Sequence, residues 1–158
     1  VMTNAALEMT LTLTNHDQKP RLVEGMWHTY LRVGDAAQAR VRGVYGASWH
    51  NFATGNKGFC DADELAMAPD TDTVIQGVGP ALALLDPAWG RQIHLETTSC
   101  PSAVVWNPRS SLANVANPTT QAWRDFVCVE TGACKDNAVV LSPGGNLTMS
   151  TRISVEAL

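Results

Sequence analysis

Residues 7–14 read LEMTLTLT, and apolar and polar side chains alternate throughout this stretch. Successive side chains of a β-strand point to opposite faces of the sheet, so a period of two predicts a strand with one buried face. Residues 146–155 alternate in the same way, and short apolar runs bounded by turn residues recur between the two stretches. Strands are therefore predicted at residues 7–14, 21–33, 39–44, 74–78, 82–85, 92–97, 104–105, 123–130, 138–141 and 146–155.

Turns and loops connect these predicted strands, and no amphipathic helix of ten or more residues is predicted. Residues 46–69 contain turn signals and predict a long irregular loop, and residues 109–121 are polar and rich in turn residues. The chain is predicted to end in a hairpin of residues 138–141 and 146–155. Many short strands without helices, repeats or linkers indicate one all-β domain over residues 1–158, an antiparallel β-sandwich.

The composition suits a globular domain and excludes several classes of function. At 158 residues the chain can bury a sizeable core. The net charge of −4 and the scattered basic residues argue against a nucleic-acid partner. The longest apolar runs, such as residues 81–85, are far too short to span a bilayer. The chain begins without methionine and almost at once inside a strand, so we expect a fragment or a processed product that lacks an N-terminal portion.

The four cysteines bear on the compartment. They show no paired CxxC spacing, and a domain of this size with an adequate core does not need disulfides. Cys128 and Cys134 flank a turn at Gly132 and could approach each other, but two reduced thiols are the favoured interpretation. The expected compartment is therefore the cytoplasm, with the stroma of a plastid as the alternative.

Two proton-handling side chains interrupt runs that otherwise indicate buried strands. His28 follows Trp27, and Glu130 ends the apolar run of residues 126–129. Histidine titrates near neutrality, and burial can raise a glutamate toward the same range, so the two form a plausible acid–base couple. A core histidine bonded to backbone and an exposed glutamate at a strand end are the competing interpretations.

Other candidate residues lie between these two. Asp72 either begins a turn or contributes a carboxylate to a site. Trp106 ends a strand before Asn107-Pro108, and it either belongs to the core or forms one wall of a sugar site. No histidine or cysteine spacing typical of a metal centre is present, and no glycine-rich phosphate loop or dinucleotide fingerprint occurs. No metal and no cofactor are expected.

The order and spacing of several short motifs resemble the aldose 1-epimerase (mutarotase) superfamily, most closely its glucose-6-phosphate 1-epimerase branch. The resemblance runs along the whole chain and matches the C-terminal part of the family's longer chains. The motifs are LTN at 13–15, HTYL at 28–31, VGD at 33–35, VRGV at 41–44, TD at 71–72, VVWNP at 104–108, FVCVET at 126–131 and LSPG at 141–144.

This resemblance implies a galactose mutarotase-like β-supersandwich, of which the chain is the C-terminal part, with a sugar cleft on one face. It implies that His28 is the general acid, Glu130 the general base and Asp72 a ligand of sugar hydroxyls. The phosphate-binding arginines of the branch are expected in the part that precedes the matched region.

Three functions follow as hypotheses. The first is an epimerase that interconverts the anomers of a hexose 6-phosphate. The second is a catalytically inactive sugar-binding or assembly subunit, whose exposed sandwich edge is covered by a protein partner. The third is an epimerase of unphosphorylated aldoses.

Overall fold

The computed structural model describes residues 5–67, 71–108 and 122–158, and β-strands account for most of the regular structure in them. Short 3₁₀ turns occur at Pro87–Trp89, Ala122–Asp125 and Lys135–Asn137. The strands are β1 (Ala6–Thr14), β2 (Arg21–Val23), β3 (Gly25–Trp27), β4 (Tyr30–Arg32), β5 (Arg40–Arg42), β6 (Ser48–Asn51), β7 (Lys57–Phe59), β8 (Glu64–Ala66), β9 (Thr71–Gln76), β10 (Ala81–Asp86), β11 (Arg91–Thr98), β12 (Ser102–Asn107), β13 (Phe126–Ala133), β14 (Val139–Leu141) and β15 (Asn146–Ala157).

The strands form two large antiparallel sheets that enclose one main core, and β14 pairs with β2 in a separate two-stranded sheet. The first sheet has the order β1-β15-β11-β10-β5-β8, and the second has the order β3-β13-β12-β9-β6-β7, with β4 also pairing with β13. Leu84 and Leu95 of the first sheet join Ile75, Val105 and Val129 of the second in one fully buried cluster. The predicted all-β antiparallel sandwich is confirmed.

The outermost alternating stretches become the longest strands. In β1 the apolar residues Met9, Leu11 and Leu13 are partly buried, and the threonines between them are exposed. Strand β15 pairs with β1 from Asn146 to Ser154 and buries Met149 completely. Because one face meets the core and the other meets water, the period of two is visible in the sequence.

Three predictions about strands are wrong. The predicted strand 21–33 is divided into β2, β3 and β4, which pair with two different partner strands. The expected loop 46–69 contains β6, β7 and β8; its turn residues form the tight connection between β6 and β7, where Gly55 has a φ of +77°. The expected C-terminal hairpin is absent because β14 pairs with β2, whereas β15 pairs with β1 and β11.

Buried side-chain amides hold the ends of strands in place. Asn107, at the end of β12, is 1% exposed and donates to the carbonyls of Trp123 at 2.8 Å and Phe126 at 2.7 Å. These bonds fix the end of β12 against the start of β13. The polar stretch predicted at residues 109–121 lies outside the described residues.

Two further observations concern the cysteines and membrane-spanning segments. Cys60, Cys100, Cys128 and Cys134 are all buried free thiols, and Cys128 and Cys134 are not bonded to each other. In residues 5–67, 71–108 and 122–158 no helix has the length and apolar character that a bilayer crossing requires.

Candidate active site

The sheet register places His28 directly opposite Glu130. Strand β3 pairs Trp27 with Thr131, and β4 resumes the pairing with β13 in the same register three residues further on. The two residues between β3 and β4 are His28 and Thr29, and the backbone carbonyl of Thr29 still accepts the Val129 amide at 3.3 Å. A short interruption of the ladder, without any inserted residue, therefore leaves the two candidate catalytic side chains as cross-strand neighbours.

Neither competing interpretation of these residues is correct. The His28 side chain is 54% exposed, so it is not a core histidine. Glu130 lies in the middle of β13 and its side chain is 11% exposed, so it is not an exposed glutamate at a strand end. The imidazole Nδ1 of His28 lies 3.3 Å from Oε1 of Glu130, which is close enough for an ion pair when the histidine is protonated.

The environment of Glu130 favours its protonated form. Burial raises the pKa of the carboxyl above its ordinary value, the nearby His28 lowers it, and the negative charge of Asp72 raises it again. The net direction is upward, because the desolvation of a carboxylate outweighs the attraction of the imidazole. A carboxylate whose pKa is raised is a stronger proton acceptor than an ordinary glutamate.

Asp72 lies on the same sheet face as the couple. It belongs to β9 and not to a turn, and it stands opposite Trp106 of β12, which in turn stands opposite Cys128 of β13. Since side chains two residues apart in a strand share a face, Glu130 projects from the same side as these three. The sheet therefore brings the carboxylates of Asp72 and Glu130 into one cleft.

This part of the cleft has a volume of about 410 Å³, and we call it the acid–base lobe. It is lined by His28, Phe52, Asp72, Val74, Val104, Trp106, Glu130 and Lys135. All three site residues named from the sequence line one open cleft, and Trp106 forms part of its wall, which is the second of the two alternatives considered for it.

Aromatic rings fix the orientation of the imidazole. His28 stacks on Tyr30 with ring centroids 4.9 Å apart and an interplanar angle of 11°. Trp106 meets His28 edge-on at 5.7 Å, and Phe126 packs against Tyr30 at 5.1 Å. Rings packed on two sides restrict the histidine to one orientation while more than half of its surface stays open to the cleft.

Sequence reasoning did not assign several lining or supporting residues to the site, among them Cys128, Tyr30, Phe52 and Lys135. Cys128 lies two residues before Glu130 in the same strand, so the alternation of strand faces could have placed it in the site. Tyr30 could have been found in the same way, because it is two residues beyond His28. Phe52 and Lys135 carry no such signal, since each lies outside a strand and reaches the cleft only through the tertiary fold.

Three donor atoms in the site are close enough to hold a metal ion. The ligand atoms of His28, Cys128 and Glu130 lie within 4.8 Å of one another, and nitrogen, sulfur and oxygen are the donors that zinc uses in proteins. However, burial, and then the charge of Glu130, raise the pKa of the Cys128 thiol to about 12. The thiol therefore keeps its proton at neutral pH and is a poor nucleophile, and the absence of a metal in the working site stays a prediction.

The two packed antiparallel sheets and the cleft on the outer face of one of them define the class of galactose mutarotase-like β-sandwiches. The family described as aldose 1-epimerase matches residues 2–154, and the chain belongs to this family.

Individual relatives agree with this assignment. The chain is 26% identical over 133 residues to a protein of Cenchrus ciliaris named putative glucose-6-phosphate 1-epimerase, with 83% of this chain and 40% of that protein covered. A putative mutarotase from Salmonella typhimurium superposes with a TM-score of 0.81 at 20% identity, covering 96% of this chain and 50% of that one. A galactose mutarotase-like protein from Lactobacillus casei gives 0.74 at 14% identity, with 98% and 60% covered. The chain thus spans about half the length of these relatives.

The charge of Asp72 provides a test of the electrostatics at the site. We expect Asp72→Asn to lower the pKa of Glu130, because the substitution removes a negative charge that disfavours the carboxylate. Carbon NMR titration of the Glu130 side-chain carboxyl measures this shift directly. Asp61→Asn, in an exposed loop, is the matched control and should leave the titration unchanged. An unchanged or raised pKa of Glu130 in Asp72→Asn would show that the charge of Asp72 does not contribute to the raised pKa.

Proposed function

We propose that the protein is an epimerase that interconverts the α and β anomers of a hexose 6-phosphate by opening and closing the sugar ring. The observation that carries the proposal is the 3.3 Å approach of His28 Nδ1 to Glu130 Oε1 inside an open cleft. Membership of the aldose 1-epimerase family supports the type of reaction. The name of the Cenchrus ciliaris relative supports the phosphorylated substrate.

The chemistry explains why an acid and a base should be neighbours. The anomeric hydroxyl oxygen and the ring oxygen are bonded to the same carbon, so groups that serve the two oxygens must lie side by side. Glu130 takes the proton of the anomeric hydroxyl while protonated His28 donates a proton to the ring oxygen, and the bond from C1 to that oxygen breaks. The product is the open-chain aldehyde, with Glu130 protonated and His28 neutral.

Closure on the opposite face completes the exchange. Rotation about the C1–C2 bond presents the other face of the aldehyde to the C5 hydroxyl. His28 then removes the hydroxyl proton as the ring closes, and Glu130 returns its proton to the carbonyl oxygen. Both groups end in their starting protonation states, so no net proton or electron is consumed.

The surroundings of the couple suit these roles. Burial raises the pKa of Glu130, and the stronger base that results is better matched to an alcohol proton than an ordinary carboxylate. Asp72 is available to accept hydrogen bonds from sugar hydroxyls, because it projects into the same lobe. The face of Trp106 offers an apolar wall for the C–H groups of a sugar ring.

The decisive experiment follows the two anomers of glucose 6-phosphate in the presence of the natural full-length protein. Freshly released α anomer is mixed with the protein, and NMR exchange spectroscopy or polarimetry records the approach to equilibrium. We expect acceleration above the spontaneous rate, with a larger kcat/KM for glucose 6-phosphate than for glucose. Acceleration with glucose alone would favour the epimerase of unphosphorylated aldoses, and no acceleration with either sugar would contradict the enzymatic proposal.

A second candidate is a non-catalytic sugar-binding or assembly subunit. It is favoured by an exposed apolar pair, since Leu22 of β2 and Val140 of β14 stand opposite each other and are 69% and 63% exposed. Apolar side chains left open in this way suit a surface covered by another protein. Native mass spectrometry of the protein isolated from its source tests this candidate, and an active monomer would rule it out.

We propose the cytoplasm, or alternatively the stroma of a plastid, as the compartment. Four buried free thiols are the supporting observation, because reducing compartments keep cysteines in this form.

A further inference from the structure

One buried thiol beside the acid–base couple takes no part in the proposed reaction. Cys128 lies two residues before Glu130 in β13, so the two side chains face the same side of the sheet. It stands opposite Tyr30 of β4 and Trp106 of β12, and none of its surface is exposed. The sulfur therefore lies at the floor of the cleft, close to the two groups that exchange protons with the sugar.

The spacing of the three side chains suits a tetrahedral zinc ion. Bonds of about 2.0–2.1 Å from zinc to nitrogen and oxygen, at tetrahedral angles, hold two such ligand atoms about 3.3 Å apart. Nδ1 of His28 and Oε1 of Glu130 are 3.3 Å apart. A thiolate bonded to the same ion at about 2.3 Å lies about 3.6 Å from each of the other ligands. Since the donor atoms of the three residues lie within 4.8 Å of one another, a movement of roughly 1 Å is enough to bring the sulfur of Cys128 into this arrangement.

The open side of the cleft leaves room for a fourth ligand. The His28 side chain is 54% exposed, and the acid–base lobe has a volume of about 410 Å³. A water molecule can therefore reach an ion held by His28, Cys128 and Glu130. Three protein ligands and one exchangeable water are the usual coordination of a zinc ion that is open to solvent.

The charges around the three side chains favour a cation. Asp72 and Glu130 contribute two carboxyl groups to the lobe, and Lys135 contributes one ammonium group. Once both carboxyls are ionised, the lobe carries an excess of one negative charge. Asp72 and Glu130 are also close enough to repel each other, and a bound cation relieves that repulsion. The net charge of −4 on the whole chain acts in the same direction.

We propose that His28, Cys128 and Glu130 form an inhibitory binding site for a divalent transition metal of the zinc type. The bound ion occupies Nδ1 of His28 and Oε1 of Glu130, so these atoms can no longer exchange protons with a sugar. The inhibitory part rests on the proposed function, whereas metal binding does not. When the ion binds, the Cys128 thiol releases its proton to solvent, and the electron pair left on sulfur forms the bond to the metal. No oxidation or reduction takes place.

The donor set determines which metals bind. A thiolate and an imidazole suit zinc and cobalt, whereas magnesium and calcium prefer ligand sets made of oxygen. Because a proton has to leave a buried thiol, the apparent affinity is lower than that of a site with preformed thiolates. Occupancy therefore follows the free zinc concentration, as expected for a reversible inhibitor and not for a resident cofactor.

Cobalt(II) binding to the natural full-length protein, with its thiols kept reduced, tests the site without reference to catalysis. A thiolate bonded to cobalt gives a charge-transfer absorption band in the near ultraviolet, and tetrahedral coordination gives intense visible bands. We expect both in the parent protein, and we expect zinc to displace them and magnesium to leave them unchanged. The charge-transfer band should be absent in Cys128→Ser. Cys60→Ser, which alters another buried free thiol in the main core, is the matched control and should keep it.

Zinc affinity, measured by calorimetry, tests the other two ligands. We expect His28→Ala and Glu130→Gln each to weaken zinc binding by more than about a hundredfold, because loss of an outer partner of a ligand already costs up to that factor. His16→Ala, in an exposed turn, is the control and should bind zinc like the parent. Circular dichroism confirms that each variant is folded. His28 is more than half exposed, so His28→Ala keeps the test available even if a change at buried Cys128 prevents folding.

Inhibition is measured with the free zinc concentration held by a metal buffer. We expect zinc to stop the exchange of glucose 6-phosphate anomers at concentrations that match the calorimetric Kd, and a chelator to restore it. The activity that remains in Cys128→Ser should require more than about ten times as much free zinc for half inhibition. Zinc binding that is unaffected by all three substitutions, or a filled site without loss of exchange, would overturn the proposal. If the parent exchanges neither sugar while zinc still binds through these residues, the proposed function fails and the metal site stands.

Discussion

Glu130→Gln in the natural full-length protein is expected to lower kcat for anomer exchange by about 10²–10⁴-fold, the contribution of one positioned proton-transfer group. The amide keeps the shape of the side chain but cannot take the proton of the anomeric hydroxyl. Because sugar binding does not require the negative charge, KM should change far less than kcat. Progress curves for glucose 6-phosphate exchange, followed over a range of concentrations, separate the two constants.

The matched control for this variant is Glu64→Gln. Glu64 lies on an edge strand and pairs with Arg42 at the surface, where the same substitution leaves the cleft untouched. We expect its kcat to equal that of the parent. A Glu130→Gln variant that retains full activity would show that the general base lies elsewhere.

Glu130→Gln should also show how far the buried carboxylate lowers the stability of the folded protein. The folded state raises the pKa of Glu130, so it favours the protonated carboxyl over the carboxylate. The associated stability is present below the unfolded pKa and is lost as pH rises through the raised folded value. Glutamine stays neutral, so the Tm of Glu130→Gln relative to the parent should increase as the pH rises above 4.5, the ordinary pKa of a glutamate, and should level off above the raised folded value. Thermal unfolding at several pH values measures this trend.

His28→Ala is expected to lower kcat by roughly 10²–10³-fold, because the ring oxygen then leaves without a proton donor. Added imidazole should restore part of the activity, since the side chain it replaces is 54% exposed and its place is reachable from the cleft.

The control for His28→Ala uses another histidine of the same chain. His16 lies in an exposed turn before β2, and His16→Ala should retain parental kcat and show no response to imidazole. Retention of activity in His28→Ala, or rescue by imidazole in the control variant as well, would contradict the role of His28 as the acid.

The strands that could be predicted from the sequence are those with one face exposed to solvent and the other packed against the core. Strands β1 and β15 alternate because Thr12 and Thr148 are exposed to water while Leu11 and Met149 face the core. The hairpin of β6 and β7 could not be predicted, because its paired positions include Gly58 and Lys57 and both residue types have a low β propensity. Its stability comes instead from β9, to which β6 is paired over four residues.

The site was only partly predictable for a related reason. His28 and Glu130 could be singled out because a titratable group inside an apolar run is unusual. The short distance between them depends on the register of β3 and β4 with β13. This register is a property of tertiary strand pairing, and the local sequence carries no signal of it. Lys135 lines the cleft from the short 3₁₀ turn that follows β13, where its φ is +54°, and nothing in the sequence around it demands that conformation.

The pairing of distant strands also determines when the site can come into existence. His28 comes from the first third of the chain and Glu130 from its last fifth, and among the described residues β1 pairs with β15. Closing loops of this size is slow compared with local hairpin formation, and folds dominated by such contacts mature on the millisecond-to-second scale. During synthesis the cleft therefore stays incomplete until the C-terminal strands have left the ribosome. Until then, the growing chain presents unpaired edges of β1 and β3 that have to be kept from associating with other chains.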